Sequence, residues 1–306
     1  MFSLNHHFKN CYVKCWHFRT FRTVSLSTRI ASLKIQRPCS LTLIGLTNAE
    51  TMELIFPNWL NRAFVRSGRE AAYRPYDLNM PSALLRRPLK DYQMDSPITE
   101  HGKICAALIG RGIQLANYEP QIIFTSPELK CIETARSVQR SLHIDDCCLC
   151  VEPSLAEYAE FRGTAQRYWL TTEQLQREGI LSEQTDYAPL LELDRLPTNE
   201  TPQEFVNRLQ RFYEHIIVNF NGRCAVIVSN ITGIFVLNNG TARIPWHLQE
   251  PHAYMSSCHL CAVEVTSDGK IEPIGRPILP LTKTLFEAQL TQDFKSNHSK
   301  SNKLDI

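Results

Sequence analysis

The 306-residue chain has no run of about eighteen apolar residues, so nothing in it reads as a membrane-spanning helix. Acids are missing from positions 1–48, where Lys9, Lys14, Lys34, Arg19, Arg22, Arg29 and Arg37 stand unopposed. The other 26 of the 33 bases face all 31 acids, so the rest of the chain carries −5 although the whole carries +2. A body of that sign offers no basic field to phosphodiester backbones, which excludes nucleic acid as an expected partner. The eleven cysteines lack the paired CxxC spacing of a strong zinc site. Cys147-Cys148-Leu149-Cys150 and Cys258-His259-Leu260-Cys261 come nearest to it. No secretory signal is read, so reduced thiols are expected, with no metal and no cofactor. On the same ground the Asn-x-Ser/Thr sequons at Asn199, Asn230, Asn239 and Asn297 are expected to stay unmodified.

A hydrophobic content of 43% supports one large α/β domain with tails. Residues 1–40 are basic and rich in Ser, Thr, Phe and His, which reads as a disordered extension or a mitochondrial transit peptide. Without such targeting, a cytoplasmic location is expected. Leu41–Leu46 is a short apolar run suited to a central parallel strand, and it empties into Thr47-Asn48-Ala49-Glu50-Thr51. Residues 52–70 alternate at roughly helical spacing. Tyr73 to Leu89 is an irregular loop carrying Pro75, Pro81 and Pro88. Thr99 is placed to cap a helix running to about Ala116.

Ile122-Ile123-Phe124 reads as a buried strand entering a helix through a Ser-Pro turn. Ser126 can cap that helix, Pro127 suits its first position, and Glu128 complements the positive N-terminal dipole. Such a junction is a natural anion site, and Lys130 stands in its first turn. Cys148–Val151 is a further short strand leading to Glu152–Tyr158, and 161–196 is mixed helix and loop. Thr201 caps a helix over 202–219 with the stripe Phe205, Leu209, Phe212, Ile216 and Ile217. Cys224–Val228 is the most strand-like run; it leads into Ser229-Asn230-Ile231-Thr232-Gly233 and an apolar helix from Ile234. Another strand covers 259–265, and residues beyond about 284 are polar and expected to be disordered.

Three strand ends therefore share one logic, at 47–51, 125–130 and 229–233, joined by 152–158. In an open α/β sheet such loops form the ligand crevice. Leu78-Asn79-Met80-Pro81, Asp95 with Pro97-Ile98-Thr99 and Gly102, and Ser126-Pro127-x-Leu129-Lys130-Cys131-x-x-Thr134-Ala135 occur in order. Glu152-Pro153-x-Leu155-x-Glu157 and Ile278-Leu279-Pro280-Leu281-Thr282 follow. In content and spacing they resemble the histidine phosphatase (phosphoglycerate-mutase-like) superfamily. The closer resemblance is to the branch of suppressor-of-T-cell-receptor-signalling proteins and ecdysteroid-phosphate phosphatases. It implies a three-layer α/β/α fold with a mostly parallel central sheet over 41–283, a polar tail over 284–306, and the option of a homodimer.

The family's catalytic residues carry over unevenly. Its Arg-His-Gly-Glu-Arg motif, whose His attacks phosphorus, falls on Thr47-Asn48-Ala49-Glu50-Thr51. Asn48 thus replaces the nucleophile, and Thr47 and Thr51 replace its flanking arginines. The arginine of the Ser-Pro-x-Leu-Arg-Cys segment is Lys130, and the second histidine is Asn230. Only the proton-donating acid is kept, at Glu157. A carboxamide nitrogen has a delocalised lone pair and cannot replace imidazole as nucleophile. Losing a nucleophile typically costs on the order of 10⁴- to 10⁶-fold in rate. The expected protein is a catalytically degenerate pseudophosphatase that binds a protein partner or a phosphorylated ligand. The alternatives are a weakly active tyrosine or steroid-phosphate phosphatase and a small-molecule binding module.

Overall fold

Leu41–Thr47 (β1) alternates its side chains between two hydrophobic layers. Ile44 and Leu46 enter one, while Leu41 and Leu43 enter the other. That period of two with no polar face places β1 inside a sheet covered on both sides. The structure is a computed structural model and describes residues 37, 39–67, 70–182, 187–239 and 257–282. The extension before residue 37 and the tail after 284 lie outside the described residues.

After β1 the chain forms Met52–Ile55 (α1), Trp59–Ala63 (α2), Phe64–Ser67 (β2), Glu70–Tyr73 (β3) and Leu89–Met94 (α3). Glu100–Leu115 (α4), Ile122–Thr125 (β4), Leu129–Leu142 (α5), Cys148–Val151 (β5), Ala159–Arg162 (α6) and Thr172–Arg177 (α7) follow. Pro202–Asn219 (α8), Cys224–Ser229 (β6), Ile231–Asn239 (α9), Leu260–Val265 (β7) and Ile271–Pro273 (β8) complete the described elements. The main sheet has the order β5-β4-β6-β1-β7-β8. Pairs β5–β4, β4–β6 and β6–β1 are parallel, whereas β1–β7 and β7–β8 are antiparallel. Residues of α4 and α5 pack on one face of the sheet and those of α8 and α9 on the other. This is the three-layer α/β/α architecture expected from the resemblance.

Thr201 caps α8 with a capping box completed by Glu204, and Pro202 opens the helix. At its far end the Arg37 guanidinium donates to the carbonyls of Ile217, Phe220 and Gly222. Carbonyls at a helix C-terminus lack intrahelical partners, and a cation there also meets the negative end of the dipole. Arg37 falls within the stretch read as an extension, yet its main chain donates to Ser267 as well.

Two local expectations are corrected. Residues 52–70 are not one helix. Pro57 follows Phe56, Asn58 takes a left-handed φ of 60°, and the chain then turns into the β2–β3 hairpin. Ser126 does not cap α5 either; the helix begins later, Glu128 is its N-cap residue, and no side chain of that residue closes the cap.

Helices α4 and α5 approach closely at Gly110, where an added Cβ would lie 2.6 Å from the Val138 carbonyl oxygen and 3.0 Å from Ser141 Cβ. Backbone on the facing helix cannot rotate aside. Gly110→Ala should therefore destabilise the domain by about 1–3 kcal/mol in chemical denaturation, despite alanine's better helix propensity.

Candidate functional site

The parallel strands β4, β6 and β1 end at the same edge of the sheet, so their following loops meet. Main-chain bonds sew them together. The Asn48 N–H donates to Ser229, the Ser126 N–H to Val228, and the Glu152 N–H to Thr125. Thr134 Oγ1, one turn into α5, accepts from the Ala49 N–H and donates to the Lys130 carbonyl. On the outer side, Thr99 caps α4, and its hydroxyl donates to Glu50 Oε1 at 2.7 Å.

A cleft of about 410 Å³ opens over this junction. Thr51, Lys130 and Glu157 of the expected site line it, together with Glu53, Asp95, Glu128, Arg162, Phe161, Met94 and Trp169. The other three expected residues sit differently. Thr47 is enclosed, and its hydroxyl accepts from the His259 N–H at 2.8 Å, so it is not part of the cleft wall. Asn48 turns its amide onto the Ala49 carbonyl at 3.0 Å. Asn230 is buried and donates from Nδ2 to Glu128 Oε1 at 3.2 Å, while its Oδ1 finds no partner among the described residues.

Glu128 escaped the sequence reading, which gave it only a dipole role on a helix surface. Its carboxylate is buried and collects donors from three strand ends. Oε1 accepts from the Glu157 N–H at 2.9 Å and from Asn230, and Oε2 accepts from the Ser126 hydroxyl. Asp95 does the equivalent at the helix itself, where Oδ1 accepts from the Leu129 N–H at 2.8 Å. The N-terminal anion site of α5 thus already faces a carboxylate from the chain. Burial raises the Asp95 pKa to about 6, against the opposing pull of Arg87 paired with it at 2.8 Å.

Among the described residues, Lys130 lines the cleft without a close ion pair. Burial acts to lower its pKa, but the neighbouring carboxylates, Glu157 foremost, outweigh this and raise it. Glu157 is itself shifted up by burial, opposed by Lys130 and by the hydroxyl of Thr232 that donates to Oε1. Arg162, also missed, is spent on structure: it donates to the carbonyls of Glu157 and Pro197 and lies 3.8 Å from Glu200. A larger groove of about 780 Å³ along α8 shares no lining residue with this cleft.

Comparison with known proteins is decisive for the family. Residues 87–272 match the family described as "Histidine phosphatase superfamily (branch 1)". The chain belongs to the histidine phosphatase superfamily. It is 30% identical over 251 residues to the mouse ubiquitin-associated and SH3 domain-containing protein B, covering 77% of this chain and 38% of that protein. It is 29% identical over 169 residues to the Bombyx mori ecdysteroid-phosphate phosphatase, covering 54% and 24% of the two chains. The chain therefore spans well under half the length of these relatives. The fold also superposes on the Bombyx mori ecdysone phosphate phosphatase crystallised with tungstate, with TM-score 0.66, 22% identity, and coverage of 80% of this chain and 95% of that one.

Glu133 on α5 lies behind the cleft and accepts from the Ile98 N–H at 2.8 Å. Burial pushes its pKa up from 4.5 to about 7, opposed by that N–H and by Lys103. A raised carboxyl pKa means the folded chain holds the proton more tightly than the unfolded one, so stability falls as pH rises across this window. Glu133→Gln keeps an acceptor for Ile98 without a charge to bury. Melting temperature against pH should show the variant close to the unsubstituted protein at pH 4.5 and more stable above about 7.

Proposed function

We propose that this chain is a pseudophosphatase: a histidine phosphatase fold that binds a protein partner at its strand-end cleft without turning over phosphate esters. One observation carries the reading. The two positions that the family resemblance assigns to histidines hold amides, and both amides are committed to structure, Asn48 on Ala49 and Asn230 on Glu128. Neither nitrogen has a lone pair free for attack on phosphorus. Electrostatics points the same way. Arg87 offsets Asp95, Glu200 is shared between Arg208 at 2.7 Å and Arg162 at 3.8 Å, and Lys130 stands among Glu53, Glu128 and Glu157. A phosphate dianion needs several bidentate or charged donors to outbid its hydration.

Protein binding fits the surface around the cleft. Phe161, Met94 and Ile55 are each roughly two-fifths exposed and Leu54 more so, giving apolar contact area beside a polar cleft. Among the relatives are proteins named ubiquitin-associated and SH3 domain-containing, which supports the protein-binding reading. A second reading, residual hydrolysis, draws on Glu157, whose raised pKa favours the proton-donating form beside Lys130.

Hydrolysis of an aryl phosphate by the full chain separates the two. The pseudophosphatase reading expects turnover at the level of the blank and equal to that of Glu157→Ala, in line with the loss of about 10⁴-fold or more for a missing nucleophile. Turnover above the blank that Glu157→Ala abolishes would establish the enzyme instead.

A further inference from the structure

Glu128 stands between Pro127 and Leu129 in Ser126-Pro127-Glu128-Leu129-Lys130, and its side chain does not cap the helix. The backbone there is extended, with φ −66° and ψ 138°. The carboxylate instead lies back over the strand ends. It touches one donor after β4 (Ser126), one after β6 (Asn230) and one after β5 (the Glu157 N–H). Convergent donors from three different strand ends are the arrangement that holds an anion at the crevice of an open α/β sheet. Here the anion is covalently part of the chain.

We propose that Glu128 is the residue that sets the ligand class of this cleft: its carboxylate is a resident anion that takes the phosphate's donors and restricts the cleft to unphosphorylated ligands. This rests on the pseudophosphatase reading and narrows its ligand. Two effects act together. The Glu157 N–H, Asn230 Nδ2 and Ser126 hydroxyl are already engaged, so an incoming phosphate has to displace Glu128 to reach them. A dianion entering without displacement meets Glu128 and Glu157 beside Lys130, and like charges brought together in a half-buried site repel strongly.

Isothermal titration of inorganic phosphate into the full chain at neutral pH tests the assignment. The unsubstituted chain should give no isotherm at millimolar phosphate. Glu128→Ala should bind phosphate at least about tenfold more tightly, and Glu128→Ala combined with Lys130→Ala should lose that gain. Glu128→Gln keeps the size and one acceptor while removing the charge. It should show a smaller gain, and it serves where circular dichroism shows that the alanine variant has not folded. Phosphate binding by the unsubstituted chain as tight as by a folded variant overturns the proposal, as does a folded variant with no gain. The failure of the underlying reading looks different: aryl phosphate turnover by the unsubstituted chain would remove the pseudophosphatase while the titration still reports on Glu128.

Discussion

Six consecutive residue pairs join β1 to β6 in parallel register, from Thr42–Cys224 to Thr47–Ser229. Everything at the site depends on that pairing. Parallel strands point the same way, so fixing the register delivers the loop after Thr47 and the loop after Ser229 to one place. Adding β4 on the far side of β6 brings the third loop. The register in turn is held by alternating burial. A slip of one residue would exchange Ile44 and Leu46 with Leu43 and Gly45, and the layer under α9 accepts only a glycine at position 45. A Cβ there would stand 2.8 Å from Leu237 and 3.0 Å from the Cys261 sulfur.

A site made from loop ends has many backbone groups to satisfy, and this one does it with carboxylates. Glu50 receives Thr99 and Asn79, Asp95 receives Leu129 and Arg87, Glu128 receives Glu157, Asn230 and Ser126, and Glu152 receives Ser154 and Leu190. Burying so many acids is tolerable because each takes two or more donors, where a buried donor left unsatisfied costs about 1–3 kcal/mol. The consequence is an electrostatic one. In the cleft wall itself Glu53, Asp95, Glu128 and Glu157 outnumber Lys130 and Arg162.

Much of the fold was legible because its signals are local. Thr99 and Thr201 cap the helices expected of them, the apolar stripe of α8 is buried as its spacing required, and Cys224–Ser229 is a fully buried strand. The failures are also physical. Residues 52–70 carry helical periodicity, but one Pro-Asn step outweighs it, since Pro57 restricts Phe56 and Asn58 accepts a left-handed turn. At the site, Lys130, Glu157 and Thr51 line the cleft, whereas Thr47 is enclosed, because position within a motif does not reveal which way a strand-end side chain turns. Glu128 was underread for a related reason: whether a carboxylate at a helix start faces solvent or folds inward is decided by donors 29 and 102 residues away.

That division bears on how the family remains recognisable in this chain. The residues that make the family legible here, Thr99, Ser126, Leu129, Thr134 and Glu152, have their polar or apolar groups tied to the loops or the core. Changing any of them exposes an unsatisfied backbone group or opens a cavity, so they are constrained by folding alone. Positions 48, 51, 130 and 230 are those the family resemblance assigns to a ligand. If the proposal holds and no phosphate has to be held, the physical demand left on them is to keep their own polar atoms and those of their neighbours satisfied. Asparagine meets it at 48 by closing on Ala49 and at 230 by closing on Glu128, and threonine meets it at 51 by capping α1. Under the pseudophosphatase proposal, the fold's stability and the family's catalysis draw on largely separate sets of residues, and Asn48, Thr51 and Asn230 serve the first.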